Sequence, residues 1–313
     1  MKRLLVEYAA KDLFERARHG KERESRLLDG DVTCFTLDIY RRHAIEKTHH
    51  VKAISAPHLP DGDWDEICFK TGPKLMSGEL ALDLLQECHL LAKKCGAKVV
   101  VDYAGKERDK NSLLDKIKAD PGRVRDFAAH YTASVPGGPQ IQLISYPGCF
   151  CHRRTDEGGL ALAEVVSADL ARPSTPLRFL DMGCGNGLVG FLVASVVPAL
   201  ELVMVDSHSR AIEAARANAT SLGIGVEAIL ADNGVPQRMD GSFDVFAGNP
   251  PYYSEYRIAE LFCETAKRAL KPWGVAYFVC KNEAGLRPVV EKYFAVETTI
   301  LRRGYAVLKA VSS

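Results

Sequence analysis

Short apolar runs that stop at an acid or a glycine recur through the second half of the chain. Residues 177–180 run into Asp181 and a glycine cluster, 201–205 into Asp206, and 226–230 into Asp232. Residues 243–247 run into Asn249-Pro250-Pro251-Tyr252. Each run has the length and composition of a strand buried on both faces. Between them the period changes. Ile212, Ala215, Ala219 and Leu222 fall at helical spacing across 209–222, with Ser207 or Ser209 available as N-cap and Gly223 just past the end. A second helix is predicted from Ser254 to about Leu270, stopped by Pro272 and Gly274, and a third over 283–293. A fifth strand covers 275–280. Two last runs, 296–301 and 305–311, flank Arg302-Arg303-Gly304 and read as a hairpin. This alternation predicts a parallel, doubly wound α/β sheet with an antiparallel last strand.

The first half carries the same ingredients without the glycines. Trp64-Asp65-Glu66-Ile67-Cys68-Phe69 resembles 243–247, a helix-like stretch follows each, and a strand follows again at 98–103 and 275–280. Thr36-Leu37-Asp38 faintly echoes Met204-Val205-Asp206. We read this as a duplication whose first copy has lost its site. Gly137-Gly138-Pro139 and Pro173-Ser174-Thr175-Pro176 are stiff breaks, and the division into halves is set at 1–144 and 145–313.

Composition adds limits. The 313 residues are 47% hydrophobic and 26% charged, as expected of a globular protein rather than a disordered or collagen-like one. Lys and Arg total 41 against 40 for Asp and Glu, so a strongly basic nucleic-acid binder is not indicated, although a local basic patch is compatible with the balance. Nine cysteines without a C-x-x-C pair suggest free thiols in a reducing compartment. No secretory leader and no membrane-length apolar run is read, so the expected location is the cytoplasm. Cys149-Phe150-Cys151-His152 has no matching second ligand pair. It is taken as a loop with two buried thiols, and no metal is expected.

The chemistry lies at the strand ends. Asp181-Met182-Gly183-Cys184-Gly185-Asn186-Gly187 follows a strand and opens a helix, where glycines permit a tight turn and close approach of a ligand to backbone. Gly185, Gly187 and Gly190 satisfy the dinucleotide fingerprint, but Asp181 would repel a pyrophosphate and would welcome an ammonium. Asp206 suits a ribose diol, and Asp232 an adenine amine. In Asn249-Pro250-Pro251-Tyr252 the prolines remove two N–H donors and leave carbonyls. The Asn249 amide oxygen and the Pro250 carbonyl can accept both hydrogens of a planar NH₂ group, and Tyr252 can stack on its ring.

These features resemble the class I S-adenosylmethionine-dependent methyltransferases, in the group whose "small domain" carries N-P-P-[FY]. Tyr146-Pro147-Gly148-Cys149-Phe150 with Asp156-Glu157-Gly158-Gly159-Leu160 is similar to a segment of the ribosomal RNA guanine-N2 methyltransferases of the small-subunit methyltransferase C type. Gly159 stands where that family has Ser or Thr, and Tyr252 where Phe is commoner. The resemblance implies two tandem Rossmann-like methyltransferase domains, the first degenerate, the second with a seven-stranded sheet. It implies S-adenosylmethionine held by Asp181, Gly183, Cys184, Gly185, Asn186, Gly187, Asp206, Ser207, Asp232, Asn233 and Asn249. Asn249, Pro250, Pro251 and Tyr252 would face the acceptor. Arg153, Arg154 and Tyr253 are candidates for holding substrate. The implied target is guanine N2 of ribosomal RNA, free or in the small-subunit particle. Adenine N6 and a protein glutamine are left open as alternatives.

Overall fold

The computed structural model describes residues 1–16, 22–118, 124–170, 175–197, 199–251 and 256–312. The chain forms two compact units. One is Met1–Ala128 with His208–Arg210, and the other holds the remaining described residues from Ala129 onward. The second unit therefore takes in sequence on the N-terminal side of residue 145.

In the first unit, the strands are β1 (Lys2–Val6), β2 (Phe14–Arg16), β3 (Glu22–Glu24), β4 (Asp31–Thr36), β5 (Lys52–Ser55), β6 (Glu66–Thr71) and β7 (Lys98–Tyr103). The helices are α1 (Ile39–His49), α2 (Gly78–Cys95) and α3 (Glu107–Lys118). Five strands form a parallel sheet in the order β5-β4-β1-β6-β7. Helix α2 begins where the Ser77 hydroxyl accepts from the Leu80 N–H and ends at Gly96, whose left-handed backbone suits a residue without Cβ. Its Leu80, Leu84, Leu85, Cys88 and Leu91 make one apolar stripe packed on Leu4, Val6, Ile67 and Phe69 of the sheet.

The second unit opens with a hairpin, β8 (Ala129–Ala133) and β9 (Ile141–Ser145), followed by α4 (Glu157–Asp169). Then come β10 (Leu177–Met182), α5 (Leu188–Ala194), β11 (Leu200–Asp206), α6 (Ser209–Leu222), β12 (Val226–Leu230) and β13 (Phe243–Gly248). The chain closes with α7 (Arg257–Ala269), β14 (Leu270–Cys280), α8 (Glu283–Val290), β15 (Ala295–Arg302) and β16 (Tyr305–Val311). The seven-stranded sheet runs β12-β11-β10-β13-β14-β16-β15, parallel through β14 and antiparallel at β16, as the sequence pattern predicts. Phe179, Leu202, Val245, Tyr277 and Val307 form one buried face, and Leu180, Val203, Phe246, Phe278 and Leu308 the other.

Some boundaries differ from expectation. The predicted stop at Pro272 and Gly274 lies inside β14. There Leu270 opposes Phe243 and Val275 opposes Val245, so the segment between them bulges, with Trp273 exposed at φ 66°. A bulge tolerates the proline that a regular ladder would reject. The expected Ser254 cap lies outside the described residues, and helix α8 stops at Val290, short of residue 293.

The two sheets share one strand order, and register aligns them residue by residue. Val6 pairs with Phe35 and Phe69, as Met182 pairs with Val205 and Gly248. The backbone N–H of Lys2 donates to Asp65 Oδ2, and its ammonium lies over the Trp64 ring. At the matching place the N–H of Arg178 donates to Asp244 Oδ2, and its guanidinium lies over Phe243. The same register corrects one sequence reading. Thr36, not Asp38, stands at the position of Asp206.

Candidate active site

In a parallel sheet all C-terminal strand ends open on one edge, and the crevice sits where the strand order reverses. Here that point lies between β10 and β13. Met182 and Gly248 are register partners, so Gly183 and Asn249 leave the sheet side by side. Asp206 ends the neighbouring strand β11, and Asp232 and Asn233 follow β12.

The loop after β10 is pinned at each step. The N–H groups of Gly183 and Cys184 both donate to the Val205 carbonyl, at 2.8 and 3.0 Å. The N–H of Gly185 donates to Asp206 Oδ2 at 2.9 Å, and that of Gly187 to the Cys184 carbonyl. Gly185 has φ 56° and faces open space, with nothing within 4 Å of where a Cβ would sit. Gly187, at φ 88°, is different: a Cβ there would run into the Phe191 ring. One glycine thus leaves room for a ligand, and the other leaves room for the protein's own core.

Asp181 is buried beneath this loop, 2% exposed, and accepts from the Gly190 N–H at 3.0 Å. Burial pushes its carboxyl up to about 7, the Gly190 bond opposes the shift, and the Asp206 charge adds to it. The half-buried Asp206 carboxylate, Asp181 beneath it and the open face at Gly185 form a donor set suited to a ligand that carries positive charge and a hydroxyl pair. S-adenosylmethionine, with its ammonium, sulfonium and ribose diol, fits that set. The Cys184 thiol is buried, and burial holds it well above its ordinary range, so it stays a neutral S–H beside the Gly185 carbonyl.

The Asn186 side chain turns away from the loop. Its Nδ2 donates to Tyr131 Oη and to the Ile144 carbonyl, both at 2.9 Å, and Asn218 Nδ2 donates to its backbone carbonyl. Its polar side chain is thus committed to the β8–β9 hairpin. Ser207 is half-buried and Asn233 exposed.

On the acceptor side, Asn249 is half-buried and Pro250 buried. Asn249 Nδ2 donates to Asp156 Oδ2 at 2.8 Å. The sequence reading gave Asp156 no role. In the sequence it stands out as the first residue of the Asp156–Leu160 segment likened above to the guanine-N2 methyltransferases, and as an acid able to cap a helix. Arg153 and Arg154 are exposed in the loop that ends at Asp156. Tyr252 and Tyr253 lie outside the described residues. Cys149 is buried as expected, but Cys151 is partly exposed, with φ 53°. Among the described residues no group of His, Cys, Asp and Glu gathers as a metal site, and no helix is long and apolar enough to cross a membrane.

In the first unit the equivalent crevice is filled. Glu7 occupies the place of Gly183 with the same left-handed backbone, φ 61°, and its N–H donates to the Phe35 carbonyl as that of Gly183 does to Val205. Its buried carboxylate accepts from the Leu37 N–H at 2.7 Å and from Arg41 at 3.0 Å. Thr36 replaces Asp206, and Lys70 replaces Asn249.

Comparison with known proteins covers the same part of the chain. The family model for the methyltransferase small domain matches residues 140–309. A ribosomal RNA small subunit methyltransferase C of Stutzerimonas stutzeri is 28% identical over 192 residues, 59% of this chain and 55% of that protein. A ribosomal RNA large subunit methyltransferase G of Pseudomonas paraeruginosa is 30% identical over 179 residues, 55% of this chain and 46% of that protein. The chain thus spans about half the length of these curated relatives. Among solved structures, a T. thermophilus 16S rRNA N2 methyltransferase in complex with AdoMet and guanosine superposes with a TM-score of 0.78 at 16% identity. The superposition covers 100% of this chain and 88% of that one, a likeness of fold across both units.

Proposed function

Since the chain belongs to the methyltransferase small domain family, we propose that it is an S-adenosylmethionine-dependent N-methyltransferase whose acceptor is an exocyclic amine of a nucleobase, guanine N2 of ribosomal RNA before others. One observation carries the reading: the glycine loop and Asn249 leave adjacent strands at the sheet's switch point, so a ligand on the loop and a planar amine at Asn249 would share one crevice.

S-adenosylmethionine, when bound, supplies an electrophilic methyl group. Asp206 would hold its ribose hydroxyls, Asp181 would answer its ammonium, and Gly185 gives it room against the backbone. An exocyclic amine is a poor nucleophile because its lone pair is delocalised into the ring. The Asn249 amide oxygen and the Pro250 carbonyl would accept its two hydrogens, fix its plane and offset the positive charge that grows on nitrogen. No side chain needs to act as a nucleophile, which agrees with the neutral, buried Cys184 thiol. Tyr252 would stack on the base, and a base within an RNA helix would first turn out of the stack. Arg153, Arg154 and Tyr253 are proposed to touch the RNA. The first domain, 1–144 in the sequence reading, is proposed to bind or steady substrate, in a cytoplasmic protein acting on free ribosomal RNA or on the small-subunit particle.

The test is transfer of a tritiated methyl group to protein-free ribosomal RNA, assembled subunits and a bacterial protein extract, followed by nucleoside and amino-acid analysis. Label in N2-methylguanosine supports the reading. Label in N6-methyladenosine or methylglutamine moves the target while keeping the site. No label in any substrate overturns it.

A further inference from the structure

We infer that Asp156 is a positioning residue for the transfer step: it fixes which face of the Asn249 amide looks into the crevice. The inference rests on the methyltransferase reading above. The Asp156 carboxylate is fully engaged. Its Oδ1 accepts from the Gly158 N–H at 3.1 Å, and its Oδ2 accepts from the Gly159 N–H at 2.9 Å and from Asn249 Nδ2 at 2.8 Å. It therefore caps helix α4 and holds Asn249 at once, across 93 residues of sequence.

A carboxylate only accepts, so the side of the Asn249 amide that meets it must be the NH₂. The two ends of an amide are opposite, and Oδ1 is thereby turned away from Asp156. A free asparagine could turn over and offer NH₂ to an incoming amine, where donor would face donor. Asp156 removes that orientation. The closeness of the pair depends on Gly158, because a Cβ there would lie 3.0 Å from the Tyr305 ring and 3.3 Å from Asn249 Nδ2. The acid also lies two residues beyond exposed Arg154, so the segment proposed to meet RNA is tied directly to the group that grips the base.

Four variants test this: Asp156→Ser, Asp156→Asn, Asn249→Asp and the exchange pair Asp156→Asn with Asn249→Asp. Serine and asparagine are both good N-caps, so helix α4 keeps its start in each. Asp156→Ser frees the Asn249 amide, and turnover should fall about 100-fold while cofactor affinity stays within about twofold. Asp156→Asn can set its amide oxygen where Oδ2 stood, still accepting from the Gly159 N–H and Asn249 Nδ2 and giving up only the Gly158 bond, so turnover should stay within about tenfold of the wild type. Asn249→Asp alone sets carboxylate against carboxylate; in the exchange pair the new amide at position 156 donates to the new carboxylate at position 249, an oxygen again faces the crevice, and turnover should recover at least about tenfold over Asn249→Asp alone.

A second readout does not depend on activity. The side-chain NH₂ protons of Asn249, assigned by their absence in Asn249→Asp, should resonate downfield in the wild type and move upfield in Asp156→Ser. Unmoved protons overturn the inference. So does a failure of the exchange pair to recover, or a loss of turnover matched by equal loss of cofactor affinity and of folded stability. Should the wild-type protein methylate nothing, the functional reading fails on its own, and the amide protons still decide whether Asp156 orients Asn249.

Discussion

Replacing Gly185 and Gly187 by alanine, one at a time, separates the two purposes of the loop. Both residues have positive φ, so either alanine pays the left-handed penalty of about 1–2 kcal/mol. The surroundings then divide them. At Gly187 the new methyl meets the Phe191 ring and approaches Met204 Cε at 3.1 Å, inside the core under the sheet. Overpacking of that kind adds about 1–3 kcal/mol, for a total near 2–5 kcal/mol of lost stability. At Gly185 the methyl meets no protein atom and intrudes only on the volume a ligand would use. The fold then loses only the backbone cost, while a clash of about 1–3 kcal/mol falls on binding and weakens cofactor affinity about 5- to 150-fold. Urea unfolding followed by near-ultraviolet circular dichroism reads the first quantity, and titration calorimetry with S-adenosylmethionine reads the second. If Gly185→Ala binds the cofactor as the wild type does, the open face of the loop is not where the ligand lies. If Gly187→Ala unfolds no more readily than Gly185→Ala, the packing argument is wrong.

Asp206→Ala should weaken cofactor binding with little effect on turnover at saturating cofactor, and Asn249→Ala the reverse. Steady-state kinetics with both substrates varied checks the split, and equal losses in both variants refute it. Asp181 supplies a pH test. Its carboxyl is raised to about 7 by burial, against 3.8 for an ordinary aspartate, so the folded chain holds a proton through that window that the unfolded chain has lost. The contribution of Asp181 to stability should therefore fall as pH rises from about 4 to about 7, and Asp181→Asn should flatten that fall in paired urea midpoints at the two ends. Binding of the cationic cofactor near pH 6 should release a proton, seen by calorimetry in buffers of different ionisation enthalpy. Finally, cofactor stoichiometry should be one per chain, and Glu7→Gly alone should leave it at one, because Thr36 and Lys70 still lack the groups that Asp206 and Asn249 supply.

What was legible in the sequence follows from how local each signal is. The strands of the second sheet and their terminal acids could be read because apolar runs in a doubly covered parallel sheet end abruptly at the edge where ligands bind. Helix α4 carried no periodic signal, since residues 158–167 are all buried and its pattern has no polar face. Strand β1 at Lys2–Val6 opens on Lys2 and Arg3 and leaves only Leu4, Leu5 and Val6 as an apolar run, so the central strand of the first sheet was missed. The echo between Asp38 and Asp206 was a slip of two residues, which sequence alone cannot detect because a shift by two preserves the face of every side chain. Asn186 reads as a ligand group from its loop, and the bonds of its side chain to Tyr131 and Ile144 were not legible because they reach a hairpin that the sequence did not reveal. The bond between Asp156 and Asn249 joins positions far apart in sequence, and no pattern along the chain encodes it.

The matched anchors at Lys2–Asp65 and Arg178–Asp244 make the chain its own control experiment. Two copies of one architecture stand in it, one with the glycine loop at its strand ends and the other without. Where they agree, as at the acid that secures the start of the central strand and the cation laid on its aromatic neighbour, the requirement is architectural. Where they part, at Gly183 against Glu7, Asp206 against Thr36 and Asn249 against Lys70, the differences fall at the residues proposed to meet cofactor and acceptor. Aligning the halves by hydrogen-bond register thus separates inheritance from use within a single molecule. Any further position that differs between them along the crevice is a ranked target for mutagenesis.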